Sequence, residues 1–464
     1  MSALNTLRLK VSQSLEIDRA VFFAILGKLW TLPAGLVTIL LIAVFFSPEL
    51  QGYYYTFSSV LALQIFAELG LGTVITYFAS HEWAKLGLDR DGRISGDADA
   101  LTRLVSLARF ALKWYLVAAA VMTPVMAVGG VFFFAAAGDP EFHWMAPWVV
   151  LCVVTGLILC MVPIWALLEG CNQVSTVYTY RLIQSIAISV AAWAAIYFGA
   201  GLWAASISGA TGLFVTLILI GRRYGKFIRT ILLTKPKGPC LMWRTDILPM
   251  QWRIALSWIS GYFIFSLFTP VLFHYQGAVI AGQMGMTWAF VSALMAVASS
   301  WVTPKAPIFG ALIAQEKYGE LDRLFWRITA VVLVVTIVGA VSIWALVFLL
   351  NQFQHPFASR LLSPGPMGYL LLATVIVTAS LPMSVYLRAH KKEPLLLISV
   401  VSGFCTAIIV VILGKYYSAE GMAIGYLAVT AIATPFVALI WHRRRAEWHA
   451  CAESAPSTVK AAAK

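Results

Sequence analysis

The chain has 464 residues, of which 61% are hydrophobic and 11% charged, and it carries a net charge of +13. Soluble domains carry roughly 25% charged residues, so a water-soluble globular protein is excluded and a polytopic membrane protein is indicated. The basic excess does not mark a nucleic-acid binder, because its Lys and Arg residues gather at the ends of apolar runs, where anionic lipid headgroups lie.

Taken in chain order, mostly apolar runs long enough to cross a hydrocarbon core roughly 30 Å thick fall near 20–46, 54–80, 110–136, 147–168, 177–198 and 202–221. A basic stretch follows, and then six more runs near 254–273, 278–303, 328–350, 367–387, 395–413 and 421–441. Twelve spans with the N-terminus inside place 30 of the 33 Lys and Arg residues on the cytoplasmic side. Only Arg360 and Lys415 then lie outside, and Lys28 lies within the first span. A count wrong by one span would put the later loops on the opposite side and destroy this asymmetry. Both termini are therefore expected in the cytoplasm. The first apolar run is followed by Ser47-Pro48-Glu49 rather than by a small-residue cleavage site, so no removable signal is expected.

The two halves echo each other. Gln51-Gly52, Leu101-Thr-Arg-Leu104, Pro163 and Gly201 reappear as Gln276-Gly277, Leu321-Asp-Arg-Leu324, Pro382 and Gly421, at offsets of 225, 220, 219 and 220. Four matches in one order at a nearly constant offset argue for duplication. The expected organisation is all-α: a six-helix lobe over 1–221, a basic cytoplasmic connector over 222–253, a second six-helix lobe over 254–451 and a disordered tail over 452–464. Outer loops are short, the longest being about 351–366, which leaves no room for an extracytoplasmic catalytic domain and argues against a membrane polymerase or glycosyltransferase.

The loop over 81–100 is polar, and its Asp89-Arg-Asp-Gly92 lacks the terminal Glu and the glycine position of a calcium loop, so a solvated loop is expected. The six cysteines lack metal-ligand spacing, and no cofactor or metal is implied. Prolines fall inside several spans and remove backbone donors there. Pro163 and Pro382 occupy equivalent places in the two halves, which makes them candidate hinges.

A charge deep in a bilayer faces a cavity or a partner. Lys28 and Glu68 are the two that fall well inside spans, at depths about one helical turn apart by a rise of 1.5 Å per residue. Lys28, Thr31, Gly35 and Thr38 form one polar, small-residue stripe, and Gln64, Glu68, Gly72 and Thr76 form another. Either these stripes line a wet cavity, or Lys28 snorkels or pairs with Glu68 to lower the cost of burial. Arg181 and Arg253, at cytoplasmic span ends, either reach headgroups or bind phosphate oxygens bidentately. The candidate substrate-binding set is thus Lys28, Thr31, Gln64, Glu68, Arg181 and Arg253.

Pro48-Glu-Leu-Gln-Gly-Tyr-Tyr-Tyr55 through Ala67-Glu-Leu-Gly-Leu-Gly72 resembles the first-repeat signature of O-antigen-type polysaccharide flippases, members of the multidrug/oligosaccharidyl-lipid/polysaccharide exporter superfamily. Gln276-Gly277 through Ser300, Pro304 and Leu321-Asp-Arg-Leu324 resembles the matching part of the second repeat, and Gly201 and Gly421 its short turn before a helix. The resemblance implies two six-helix lobes around a central cavity lined by spans one, two, seven and eight. It also implies an undecaprenyl-pyrophosphate-linked oligosaccharide as cargo, flipped to the outer leaflet of the inner membrane by alternating access, with Lys28 facing the pyrophosphate. Membrane lipids and a polysaccharide polymerase are the candidate partners. The rival reading within the superfamily is a drug or cation antiporter with Glu68 as the ion-linked carboxylate.

Overall fold

The computed structural model describes residues 2–89, 94–139, 142–234, 241–390 and 394–453. The glycine of the calcium-like run, part of the connector and the tail from 454 onward lie outside these residues, while Ala452 and Glu453 still belong to the last helix. The chain is helical and polytopic. Nine helices among the described residues are long and apolar enough to cross a membrane, and two further pairs pass the same test if each bent pair is one span. It divides into two compact units, Met1–Ile259 and Ser260–Lys464.

Unit 1 opens with α1 (Ser2–Phe45). Ser47 then caps α2 (Pro48–Leu61), its hydroxyl accepting from the Leu50 N–H at 3.1 Å, and Pro48 occupies the first turn, where no donor is needed. A 3₁₀ turn leads into α3 (Ile65–Glu68), and α4 (Leu71–Trp83) follows after two residues. The polar loop beyond α4 is not wholly irregular: β1 (Leu86–Leu88) and β2 (Ile94–Gly96) pair antiparallel, with Leu86 opposite Gly96. Period-2 alternation over three residues is too short a signal to read from sequence. Next come α5 (Ala98–Ala137), capped by Asp97, then α6 (Met145–Leu159), α7 (Val162–Gly170), α8 (Val174–Tyr197) and α9 (Trp203–Leu233). Helix α4 packs against α5 and α7, and α8 lies between α1 and α9.

The helix α10 (Leu248–Phe265) runs across the division into unit 2, which continues with α11 (Phe268–Gln276), α12 (Ala278–Val302), α13 (Ala306–Ala314), α14 (Tyr318–Gln352), α15 (Pro364–Ala389) and α16 (Leu396–Glu453). Held straight, the 58 residues of α16 would reach about 85 Å at 1.5 Å each, far beyond a bilayer. Instead the helix doubles back at Ser418, whose backbone is non-helical (φ 55°, ψ −151°). A side chain on Gly425 would collide with Ile409, sixteen residues earlier, and Gly414 similarly abuts Met422. This reversal makes two passes of one helix and is consistent with twelve spans.

Two spans expected to be continuous are broken. The pair Pro48–Glu68 and Leu71–Trp83 bends by 45°, and the pair Trp243–Phe265 and Phe268–Gln276 by 41°. The second break precedes Pro270 by four residues, the position whose carbonyl that proline leaves without a helical donor. Pro163 acts in the same way, opening α7 after an interruption at Cys160-Met161, whereas its counterpart Pro382 sits inside the unbroken α15.

Candidate functional site

The break in the second span is built from backbone conformation. Leu69 (φ 49°) and Gly70 (φ 64°) are both left-handed, which ends α3 at Glu68 and redirects the chain into α4. Gly70 has no alternative, because a Cβ there would overlap Ile254 of α10. The freed end of α3 is tied down from α5: the Trp114 indole N–H donates to the Ala67 carbonyl at 3.1 Å.

Glu68 therefore sits at a helix end inside unit 1 rather than on a regular helical face. The Tyr115 hydroxyl donates to its Oε1 at 3.5 Å, and both groups crowd Gly72. A Cβ on Gly72 would stand 3.3 Å from that oxygen, 3.5 Å from the Tyr115 hydroxyl and 3.4 Å from Val162 at the start of α7. Thr76, one turn further along, donates to the Ala166 carbonyl at 3.2 Å and fastens α4 to α7. Gly72, two residues past the first interruption, thus meets Val162, just past the second, with the Glu68 carboxylate and the Tyr115 hydroxyl beside it. One turn before Glu68, Gln64 lines a cavity of about 20 Å³ with Thr123, Thr155 and Cys152, a volume on the scale of a single water. Such an arrangement offers a half-buried carboxylate beside a phenol and freed backbone groups, the components of a proton or small-cation site.

Lys28 is not part of it. Within the membrane-length stretch Phe22–Phe45, Lys28, Thr31 and Gly35 are exposed. The lysine makes no hydrogen bond or ion pair with any described residue. The Thr31 hydroxyl donates to the Gly27 carbonyl at 2.8 Å, and the stripe turns inward only at Thr38, whose hydroxyl accepts from the Trp193 indole at 2.9 Å. The pairing of Lys28 with Glu68, one of the two sequence readings, does not occur: the partner of Glu68 is Tyr115.

The two arginines differ from each other. Arg181 is held by Glu169 at 2.8 Å and lies over the Trp165 ring. Arg253 is exposed and stacks on Trp252 without an ion pair among the described residues. Sequence reasoning did not single out Tyr115, which read as one aromatic among many, or the break itself. The Gly70-Leu71-Gly72 triplet is the signal that could have found the break, since paired glycines in an apolar run are where helices kink.

No family model and no curated relative matches the chain. Solved structures do. An inward-facing multidrug resistance MATE family transporter of the MOP superfamily superposes with a TM-score of 0.68 at 13% identity, over 93% of this chain and 98% of that one. Its fold is that of the MOP-superfamily transporters. The lipid II flippase MurJ in its inward closed conformation matches with a TM-score of 0.64 at 13% identity, over 93% of this chain and 90% of that one. A MOP superfamily transporter from Pyrococcus furiosus matches with a TM-score of 0.56 at 13% identity, over 93% and 96%. MOP is the multidrug/oligosaccharidyl-lipid/polysaccharide superfamily to which the sequence resemblance pointed; the similarity extends to both its drug-exporting and its lipid-flipping branches.

Proposed function

We propose that the chain is a flippase that moves an undecaprenyl-pyrophosphate-linked oligosaccharide from the cytoplasmic to the outer leaflet of the inner membrane by alternating access, with both termini cytoplasmic. The observation that carries this reading is Lys28, a cation on a small-residue face at membrane depth with no counter-ion among the described residues. A charge at the centre of a membrane helix costs roughly 2.5–3.5 kcal/mol, and a cargo phosphate supplies the missing partner. Thr31, Gln64 and the exposed Arg253 are the further groups assigned to cargo. Arg181 could join them only by releasing Glu169. Pro163 and Pro382 are assigned the bending of the fourth and tenth spans.

Export of surface polysaccharide tests this. Lys28→Ala is expected to abolish export and Lys28→Arg to retain part of it, since the charge survives without the ammonium's compact geometry. A Lys28→Ala strain with undiminished surface glycan discards the assignment.

Glu68 favours a second reading. A half-buried carboxylate with a neutral phenol as its partner, set at a helix break, suits a proton- or sodium-coupled drug antiporter. That reading requires Glu68→Gln to abolish resistance to cationic dyes while surface glycan stays unchanged.

A further inference from the structure

A cavity of about 640 Å³ in unit 2 opens where α14 ends and α15 begins, at the end of the helices away from Arg445 and Asp322. Clefts of roughly 300–1,000 Å³ hold small organic ligands. Its wall carries Gln283, Asn351, His355, Ser363, Tyr417 and Glu420 over an apolar floor that includes Leu361 and Leu362. Among the described residues it has no Lys or Arg in its lining.

These side chains are positioned yet retain hydrogen-bonding capacity. The His355 Nδ1 accepts from the Phe357 N–H at 3.2 Å, which assigns the ring proton to Nε2 and leaves it free to donate. Gln283 donates through Nε2 to the Ser359 carbonyl at 3.0 Å, and Asn351 donates through Nδ2 to the Val347 carbonyl at 2.9 Å. Both keep their amide oxygens as acceptors. The carboxylate of Glu420 has no partner among the described residues, and Tyr417 presents 67% of its surface.

At the matching end of unit 1, Tyr53, Phe57, Phe134 and Trp148 fill the space with interlocked rings. The residue 220 positions after Phe134 is Gln354, on the rim of the cleft. The turn between the last two spans differs as well. Unit 1 places Gly199 (φ 74°) at the left-handed position, whereas 219 residues later unit 2 places Ser418 (φ 55°) there, also in the cleft wall. L residues rarely hold that conformation and persist in it only where the surrounding structure holds them. An apolar plug has given way to amides, and a permissive glycine to a hydroxyl.

We propose that this cleft is a carbohydrate site for neutral sugar units of the cargo. Alternating donors and acceptors suit vicinal hydroxyls, the exposed Tyr417 ring suits the apolar face of a pyranose, and the lone carboxylate disfavours an anion. Naming the sugar as cargo rests on the flippase reading; sugar binding at the cleft does not.

Maltotriose and chitotriose, titrated against the full-length detergent-solubilised chain and followed by saturation-transfer NMR, test the site. At least one trisaccharide is expected to bind. Tyr417→Ala, His355→Ala and Glu420→Gln should each weaken binding roughly tenfold or more, the loss of one or two good contacts. All three residues are exposed, so thermal midpoints should hold. Absence of binding by both trisaccharides, survival of binding in the Tyr417→Ala/His355→Ala double variant, or tetraphenylphosphonium occupying the cleft through Glu420 in place of sugar would each overturn the proposal. Sugar binding in a chain whose loss leaves surface glycan intact rejects the flippase reading and keeps the site. Glycan export that depends on the chain, without sugar binding, does the reverse.

Discussion

Gly70 shows how much of the candidate site rests on single residues. Its left-handed backbone costs an L residue about 1–2 kcal/mol, and the Ile254 side chain already occupies the place of a Cβ. Gly70→Ala is expected to destabilise by about 2–4 kcal/mol, adding overpacking to strain, read as a lower thermal midpoint in detergent; an unchanged midpoint would mean that the break is not needed for the fold. Tyr115→Phe should be milder. At 3.5 Å its bond to Glu68 is at the limit of hydrogen-bond length, so a loss of less than about 1 kcal/mol is expected, with the protein still folded and Glu68 deprived of that donor. That variant separates a tuning role for the phenol, visible in transport, from a structural one, visible in the melting curve.

At the scale of elements, the breaks differ in cause and therefore in robustness. The interruptions at Cys160-Met161 and before Phe268 follow from prolines that remove a donor, while that at Leu69-Gly70 follows from backbone chirality alone. Pro382, matched to Pro163 in sequence, leaves α15 continuous, because a single proline can be absorbed as a kink where neighbouring helices compensate. Elements are also pinned together across long sequence distances. Arg445 of α16 grips Asp322 of α14 bidentately, with Nε to Oδ1 at 3.0 Å, beside the stacked Phe325 and Trp441 rings. A double-mutant cycle on Asp322→Asn and Arg445→Gln should give a coupling of about 1–2 kcal/mol, above the surface norm because both side chains are mostly covered. A value near zero would reduce the pair to an incidental surface contact.

For the whole molecule, the charge bias makes a topological prediction. In a cysteine-free background, Ser363→Cys at the start of α15 should react with a membrane-impermeant maleimide on intact cells, and Gly319→Cys at the start of α14 should react only after permeabilisation. Labelling in the opposite sense would invert the assignment of the termini. Membrane residence, helical class and the succession of spans were legible in the chain because hydropathy and charge act locally: twenty apolar residues satisfy their own backbone in lipid wherever their neighbours lie. Contacts between distant segments were not. Lys28 and Glu68 lie at similar depth along their helices, yet helix rotation and the turn at Leu69-Gly70 give Glu68 to Tyr115, 47 residues away, and leave Lys28 exposed. Arg181 read as a lone span-end charge, yet it is paired with Glu169. The cleft around His355 and Glu420 likewise draws on three helix ends and a reversed turn. Composition and periodicity determine what each segment must bury, but which side chains then meet depends on helix rotation, on breaks and on packing, and those are settled only when the whole chain has folded.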